Sequence, residues 1–437
     1  MKKRRLFIFA IISALLIFLF FNNLSSKNTD KIKLPELEDK KREDLSAREY
    51  VEDFEFVYEI LDQYYPFFDI NKKIQNIDWL DKKEEYINYI EKSTDDYDFA
   101  YRLNNILYDL NNGHTYIVDQ NEAVENYVAY YRAPKSDWRH DISKIYEKEK
   151  VRYRYRLTNK KVNDYLKYQA YDHISLDYNT NFKGSGPKKE SSYNLNLLDI
   201  NDDISYIKIK EMASLEESKA DQKIIKDYLQ KSKGKDALII DIRGNTGGDS
   251  RYWQDFLLPE IIDKEYSTSY YHFIKAGKLH QKIISQEKYQ NSVDNFLAKS
   301  NFNDESRQIL SQFDFYKHFP LTIKPSQTSI NFRGNIYLLV DSYVYSSSEM
   351  LASFCSETGL ATLVGSETGG DGIGTDPMQI DLPNSGYILR YSKQMGITES
   401  GKINELEKTK PDIFIDSNTQ DNLLDQPIIH KIVELES

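Results

Sequence analysis

Three short stretches of this 437-residue chain hold side chains suited to breaking a covalent bond. The first is VDSYVYSSSEMLASF, residues 340–354, in which Ser346-Ser347-Ser348-Glu349 stands between a strand-like apolar run and a helix-like one. A hydroxyl on the first turn of a helix, straight after a buried strand, points out of the sheet edge. The free N–H groups of that turn can hold an oxyanion. Serine is also a good N-cap, so these residues alone read as a cap before they read as a nucleophile. The second stretch is Arg243-Gly-Asn-Thr-Gly-Gly248. Paired glycines after a buried strand let backbone N–H groups approach a ligand, or simply make a tight turn. The third is Asn112-Gly-His-Thr115. An alcohol is a weak nucleophile and needs a base, and neutral imidazole, with an ordinary pKa of ~6.5, is the usual one. His140, His173, His272, His280, His318 and His430 have no comparable setting, and no spacing rule by itself brings His114 to Ser346.

Other chemistries find little support. The single cysteine, Cys355, beside Phe354, allows no disulfide within the chain and no thiolate metal site, and reads as a small core residue. No Gly-Lys-Ser/Thr follows a glycine loop, and GGDGIG at 369–374 lacks dinucleotide spacing, so it reads as a turning loop. A net charge of -11 and a pI of about 5.3 argue against a nucleic-acid partner. No metal or organic cofactor is implied.

The elements that must position these residues are partly legible. Ser46-Ala-Arg-Glu49 fits a capping box, followed by a helical stripe of Val51, Phe54, Val57, Ile60, Leu61 and Tyr64. A second helix, capped within Ser93–Asp96, puts Phe99, Leu103, Ile106, Leu107 and Leu110 on one face. Asn112-Gly113 is expected to end it in a left-handed turn just before His114. Residues 119–190, rich in Tyr and Lys, resist assignment. Stretches 194–199 and 204–209 alternate around Asn201-Asp-Asp203 as a hairpin, a helix follows at 215–231, and ALIIDI (237–242) reads as a buried strand. Residues 265–330 look like an excursion. The core resumes with a strand at 335–340, the serine turn, a helix to Thr358 and a strand at 361–364, an alternation that implies an α/β layer structure.

At the N-terminus, MKKRR precedes LFIFAIISALLIFLFF, residues 6–21. As a helix this run spans roughly 24 Å against a hydrocarbon core of ~30 Å. With no small-x-small cleavage site, the reading favours an uncleaved membrane anchor, with residues 22–45 as a polar tether and the remainder extracytoplasmic; a cleaved segment would make the protein secreted.

Taken together, the three stretches resemble the tail-specific, or C-terminal processing, serine peptidase family. ALIIDIRGNTGGDS resembles its strand and oxyanion loop. NIYLLVDSYVYSSSEMLASF resembles its nucleophile segment, in which the serine stands three residues before a glutamate, here Ser346 and Glu349. ATLVGSETGGDGIGT and KPDIFID (410–416) also fit. The resemblance implies a crotonase-like β/α layered core over residues 191–420, with an N-terminal helical domain at 46–118, a C-terminal tail at 421–437 and a peptide or protein substrate. The Ser/Lys members carry a lysine base about twenty-five residues after the nucleophile, where this chain has Asp371 in Thr368-Gly-Gly-Asp-Gly372. The tricorn-like branch instead takes a histidine from upstream and a glutamate near the C-terminal Pro-Asp. That pattern implies Ser346 as nucleophile, His114 as base and Glu405 as its orienting residue, with Glu407 the competitor. Gly248, Gly247 and Ser347 would be the oxyanion donors. Asp371 is expected to have only a structural role in its loop. No PDZ-like domain is recognisable between 118 and 190. The alternative on the same fold is a catalytically silent peptide- or ligand-binding module.

Overall fold

The computed structural model describes residues 32–37, 44–167, 194–416 and 422–437. The apolar run at 6–21, most of the tether at 22–45 and residues 168–190 lie outside the described residues. No helix among those described is long and apolar enough to cross a membrane. The described end of the tether is docked onto the body. Ile32 and Leu34 are buried, and the Asn159 side chain pairs with the Leu34 backbone at both its N–H (2.7 Å) and its carbonyl (2.9 Å).

Four helices open the body: Ala47–Tyr64, Phe68–Gln75, Lys83–Ile90 and Asp96–Tyr108. Ser46 and Glu49 cap the first reciprocally, which stabilises a helix start by ~1 kcal/mol, and Phe54, Val57 and Leu61 are its buried stripe. The fourth ends at Tyr108, and the left-handed residue is Asn111 (φ 50°), one position before the expected Asn112-Gly113 pair. That early stop leaves Asn112 to His114 free of the helix, in a turn leading to β1 (Tyr116–Ile117). The described part of 119–167 is helical, including Glu122–Tyr131, Trp138–Glu147 and Glu149–Tyr155.

Then follow β2 (Leu195–Asp199) and β3 (Ile204–Ile209), the helix Lys219–Ser232, and β4 (Ala237–Asp241). Next come the long strands β5 (Tyr266–Ile274) and β6 (Phe315–Ile323). After them come β7 (Asn335–Val340), the helix Ser347–Thr358, and β8 (Thr362–Gly365). β9 (Met378–Asp381), β10 (Ile388–Tyr391), β11 (Gln394–Thr398) and β12 (Ile413–Phe414) complete the strands, and the helix Pro427–Leu435 closes the chain.

One sheet has the order β12-β8-β7-β4-β3-β2, parallel except for the β2–β3 hairpin. Its central strands are apolar on both faces because both faces are covered. Ile225 and Leu229 from one helix, and Leu351 and Phe354 from the next, pack on Leu238, Ile240 and Leu338. Ile428, Ile429 and Ile432 of the last helix cover Ile239, Tyr337 and Leu339 on the opposite side. Two antiparallel sheets, β11-β5-β6 and β1-β10-β9, stand beside it. Residues 265–330 are therefore no excursion: β5 pairs with β11 from Ile274↔Gln394 to Tyr270↔Thr398, and Phe273 joins the core of the N-terminal helices. This mixed α/β arrangement brings the loops after β4 and β7, the Asn112–His114 turn and the connection after β8 into contact with one another.

Candidate active site

β7 runs into a turn at Asp341 and emerges in the helix Ser347–Thr358. Between them Ser346 adopts φ 55°, ψ −125°, a backbone conformation that costs a non-glycine residue ~1–3 kcal/mol and persists only where the surroundings impose it. Here the surroundings are closely fitted. The Tyr345 N–H donates to the Asn245 carbonyl (3.3 Å) and the Ser346 N–H to the Gly370 carbonyl (3.4 Å). Gly247 lies so close that a Cβ on it would stand 2.8 Å from Ser346 Cβ, and its φ of 107° suits only glycine. Ser346 makes no side-chain capping bond, so the strained turn holds a hydroxyl that does not cap the helix.

Asn245 welds this region together. Its Nδ2 donates to the Ile209 carbonyl at the end of β3 (3.1 Å), while its Oδ1 accepts from Ser348 Oγ (2.7 Å) and from the Gly247 N–H (3.0 Å). The last bond corrects one expectation: the Gly247 N–H is already committed, and that residue acts by allowing close approach. The Gly248 and Ser347 N–H groups have no acceptor among the described residues. Gly248 itself is pressed against Met212, whose N–H and carbonyl pair with the Gly247 carbonyl and the Asp249 N–H on either side.

The opposite wall carries charge. His114 Nδ1 lies 2.9 Å from Asp371 Oδ2, with the two side chains 16% and 9% exposed. The same oxygen also accepts from Asn112 Nδ2 (2.7 Å), Tyr345 Oη (3.0 Å) and Ser392 Oγ (3.1 Å). Burial pushes the Asp371 carboxyl up, but the imidazole charge and these donors outweigh it and hold the group below the usual carboxylate range. An ionised acceptor at Nδ1 keeps the proton on that nitrogen and leaves Nε2 as the basic one. Tyr345, the residue before Ser346, connects the two walls: its hydroxyl also accepts from the Gly113 N–H (3.1 Å), and its ring lies 5.0 Å from that of His114. Ser346 Oγ and His114 Nε2 form no hydrogen bond to each other.

Two expectations therefore exchange places. Glu405, taken as the orienting residue, does not reach the imidazole; its Oε1 accepts from Asn112 Nδ2 at 3.0 Å. Glu407 bonds to neither His114 nor Asp371. Asp371, assigned only a structural part, is the acid on His114. The reason is backbone placement: at φ 47°, following Gly370 at φ 90°, Asp371 turns inward, where Gly372 N–H is pinned by Asn404 Oδ1 (2.8 Å). Glu349 is a buried supporting group that accepts from Asn404 Nδ2 (2.6 Å) and Thr409 Oγ1 (2.7 Å), and burial pushes it up to about 7. Asn112, Asn245, Tyr345 and Ser392 were not singled out for the site. For Asp371 a signal existed, an acidic residue standing where a base is missing; for Ser392 the sequence offers none.

Residues 203–415 match the family described as Peptidase family S41. Among solved structures, a putative peptidase from Parabacteroides merdae superposes with a TM-score of 0.54 at 18% identity, covering 90% of this chain and 97% of that one. Mature CPAF complexed with lactacystin superposes with a TM-score of 0.53 at 11% identity, covering 84% of this chain and 94% of that one. At these identities the likeness concerns the fold. No curated protein matches the chain.

Proposed function

We propose that this chain is a serine peptidase of family S41 that cleaves peptide bonds through an acyl-enzyme on Ser346, with His114 as base and Asp371 as its acid partner. Ser346 Oγ attacks the scissile carbonyl carbon while its proton passes to His114 Nε2. The carbonyl oxygen becomes an oxyanion held by the Gly248 and Ser347 N–H groups, the two donors left unpaired beside Ser346. The imidazolium, steadied by Asp371, then gives the proton to the departing amine as the C–N bond breaks. Water, activated by the same nitrogen, cleaves the ester and restores the hydroxyl.

The observation that carries this reading is the largely buried Asp371 carboxylate on His114 Nδ1, linked through Tyr345 to the strained serine next to it. A histidine base also accounts for a loop that lacks the lysine. For location, we take MKKRR and the apolar run at 6–21 to be a membrane anchor that leaves the body extracytoplasmic.

The test is active-site labelling with a fluorophosphonate, with the adduct mapped by mass spectrometry. Labelling at Ser346 that disappears in Ser346→Ala and His114→Ala is the expected result. Folded wild-type protein that takes no label would instead favour the silent binding module.

A further inference from the structure

Glu405 is left over from the catalytic assignment, yet it stands one hydrogen bond away from it. The Asn112 amide is oriented by two donors on its Oδ1: the His114 N–H (3.1 Å) and Thr115 Oγ1 (2.8 Å). Its Nδ2 must therefore face the other way, where it meets two carboxyl groups at once, Asp371 and Glu405. The donors are shared unequally. Four converge on Asp371 Oδ2, one reaches Glu405 Oε1, and Glu405 Oε2 is buried with no partner among the described residues. The titratable groups facing Glu405 are Asp371, Tyr345, Tyr65, Glu349 and Lys408, and Lys408 forms no ion pair with it.

Two largely buried carboxyl groups within reach of one amide do not both stay ionised, and the one with the donors and the imidazole keeps the charge. We propose that Glu405 works as an uncharged acid, a positioning residue that braces Asn112 and through it holds Asp371 and the His114 tautomer in place. This rests on the reading of Ser346, His114 and Asp371 given above. Consistent with it, burial and then the Asp371 charge hold the Glu405 proton well above the ordinary carboxyl range. Ionising Glu405 would place a second anion on Asn112 and draw that amide away from Asp371, so activity falls when the proton leaves.

The experiment measures the pH dependence of fluorophosphonate labelling in the full chain for wild type, Glu405→Ala and Glu405→Gln, with infrared spectra of each in the carboxyl region. Glu405→Ala should label roughly 10²-fold more slowly, because an unbraced amide lets the base shift. Glu405→Gln, which mimics a neutral carboxyl, should restore most of the rate and lose the alkaline fall seen in wild type. The wild-type spectrum should contain a protonated-carboxyl band at pH 8 that Glu405→Gln lacks. A Gln variant as slow as the Ala variant, an unchanged alkaline fall, or no such band would each overturn the proposal. A wild type that labels at no pH would remove the catalytic reading and the positioning role with it, a pattern distinct from the other three.

Discussion

The two walls of the proposed site are built on opposite principles. The nucleophile wall is local and neutral: Ser346, Ser347 and Ser348 are consecutive, and backbone bonds, the Asn245 amide and two closely packed glycines hold them. The base wall is remote and charged: His114 and Asp371 are 257 positions apart, Asn112 stands beside the histidine, and Ser392 converges from a further segment. A strained turn can be enforced by sterics alone. An ionised acid in a buried place needs every donor it can collect, and those donors come from wherever the fold brings them.

That contrast can be broken experimentally. The largest effects fall on the reacting pair: Ser346→Ala and His114→Ala should each lower kcat by roughly 10⁶-fold in protein that still folds cooperatively. Retained turnover in either variant would end the assignment. Next, Asp371→Asn keeps the shape of the base wall and removes its charge, so kcat should drop by roughly 10⁴-fold. A drop no deeper than that of Glu405→Gln would mean that the charge on Asp371 is not what matters. Gly247→Ala tests the neutral wall by steric means, since its Cβ would meet Ser346 Cβ at 2.8 Å and the Tyr345 carbonyl at the same distance. Disturbing the neighbouring oxyanion donor should cost kcat about 10²–10³-fold, with a stability loss of ~1–3 kcal/mol and a pH profile of unchanged shape.

The smallest effect is on stability. Burial raises Glu349 from the ordinary 4.5 to about 7, so its protonated form stabilises the fold fully below pH 4.5, and that contribution is lost as pH rises through about 7. Glu349→Gln keeps an oxygen for Asn404 and Thr409 and cannot ionise. It should therefore gain on wild type between pH 5 and 8 by on the order of 3 kcal/mol, read as the difference in urea midpoints. A constant difference across that range would place the carboxylate in solvent.

The same division governs how much could be read from the sequence. Strand β7, the helix after it and the β2–β3 hairpin follow from runs and periods within a few residues, and so does the setting of Ser346. Asp371 escaped because its role depends on Asn112, Tyr345 and Ser392 arriving from elsewhere, and because Asp is the residue type expected in a glycine-rich turn. Glu405 stands near the imidazole, as the resemblance implies, but Asn112 intercepts the contact. Residues 265–330 read as an excursion in the sequence because the partner of β5 is β11, more than a hundred positions later.

The span between His114 and its acid also has a meaning in time. A ribosome adding 5–20 residues per second needs roughly 10–50 s to pass from one to the other. During that interval the emerging chain holds an imidazole without its carboxylate, and for most of it the serine has not been made. On the proposed assignment, catalytic competence arises late in synthesis, and a half-made chain has no means of cutting itself or its neighbours.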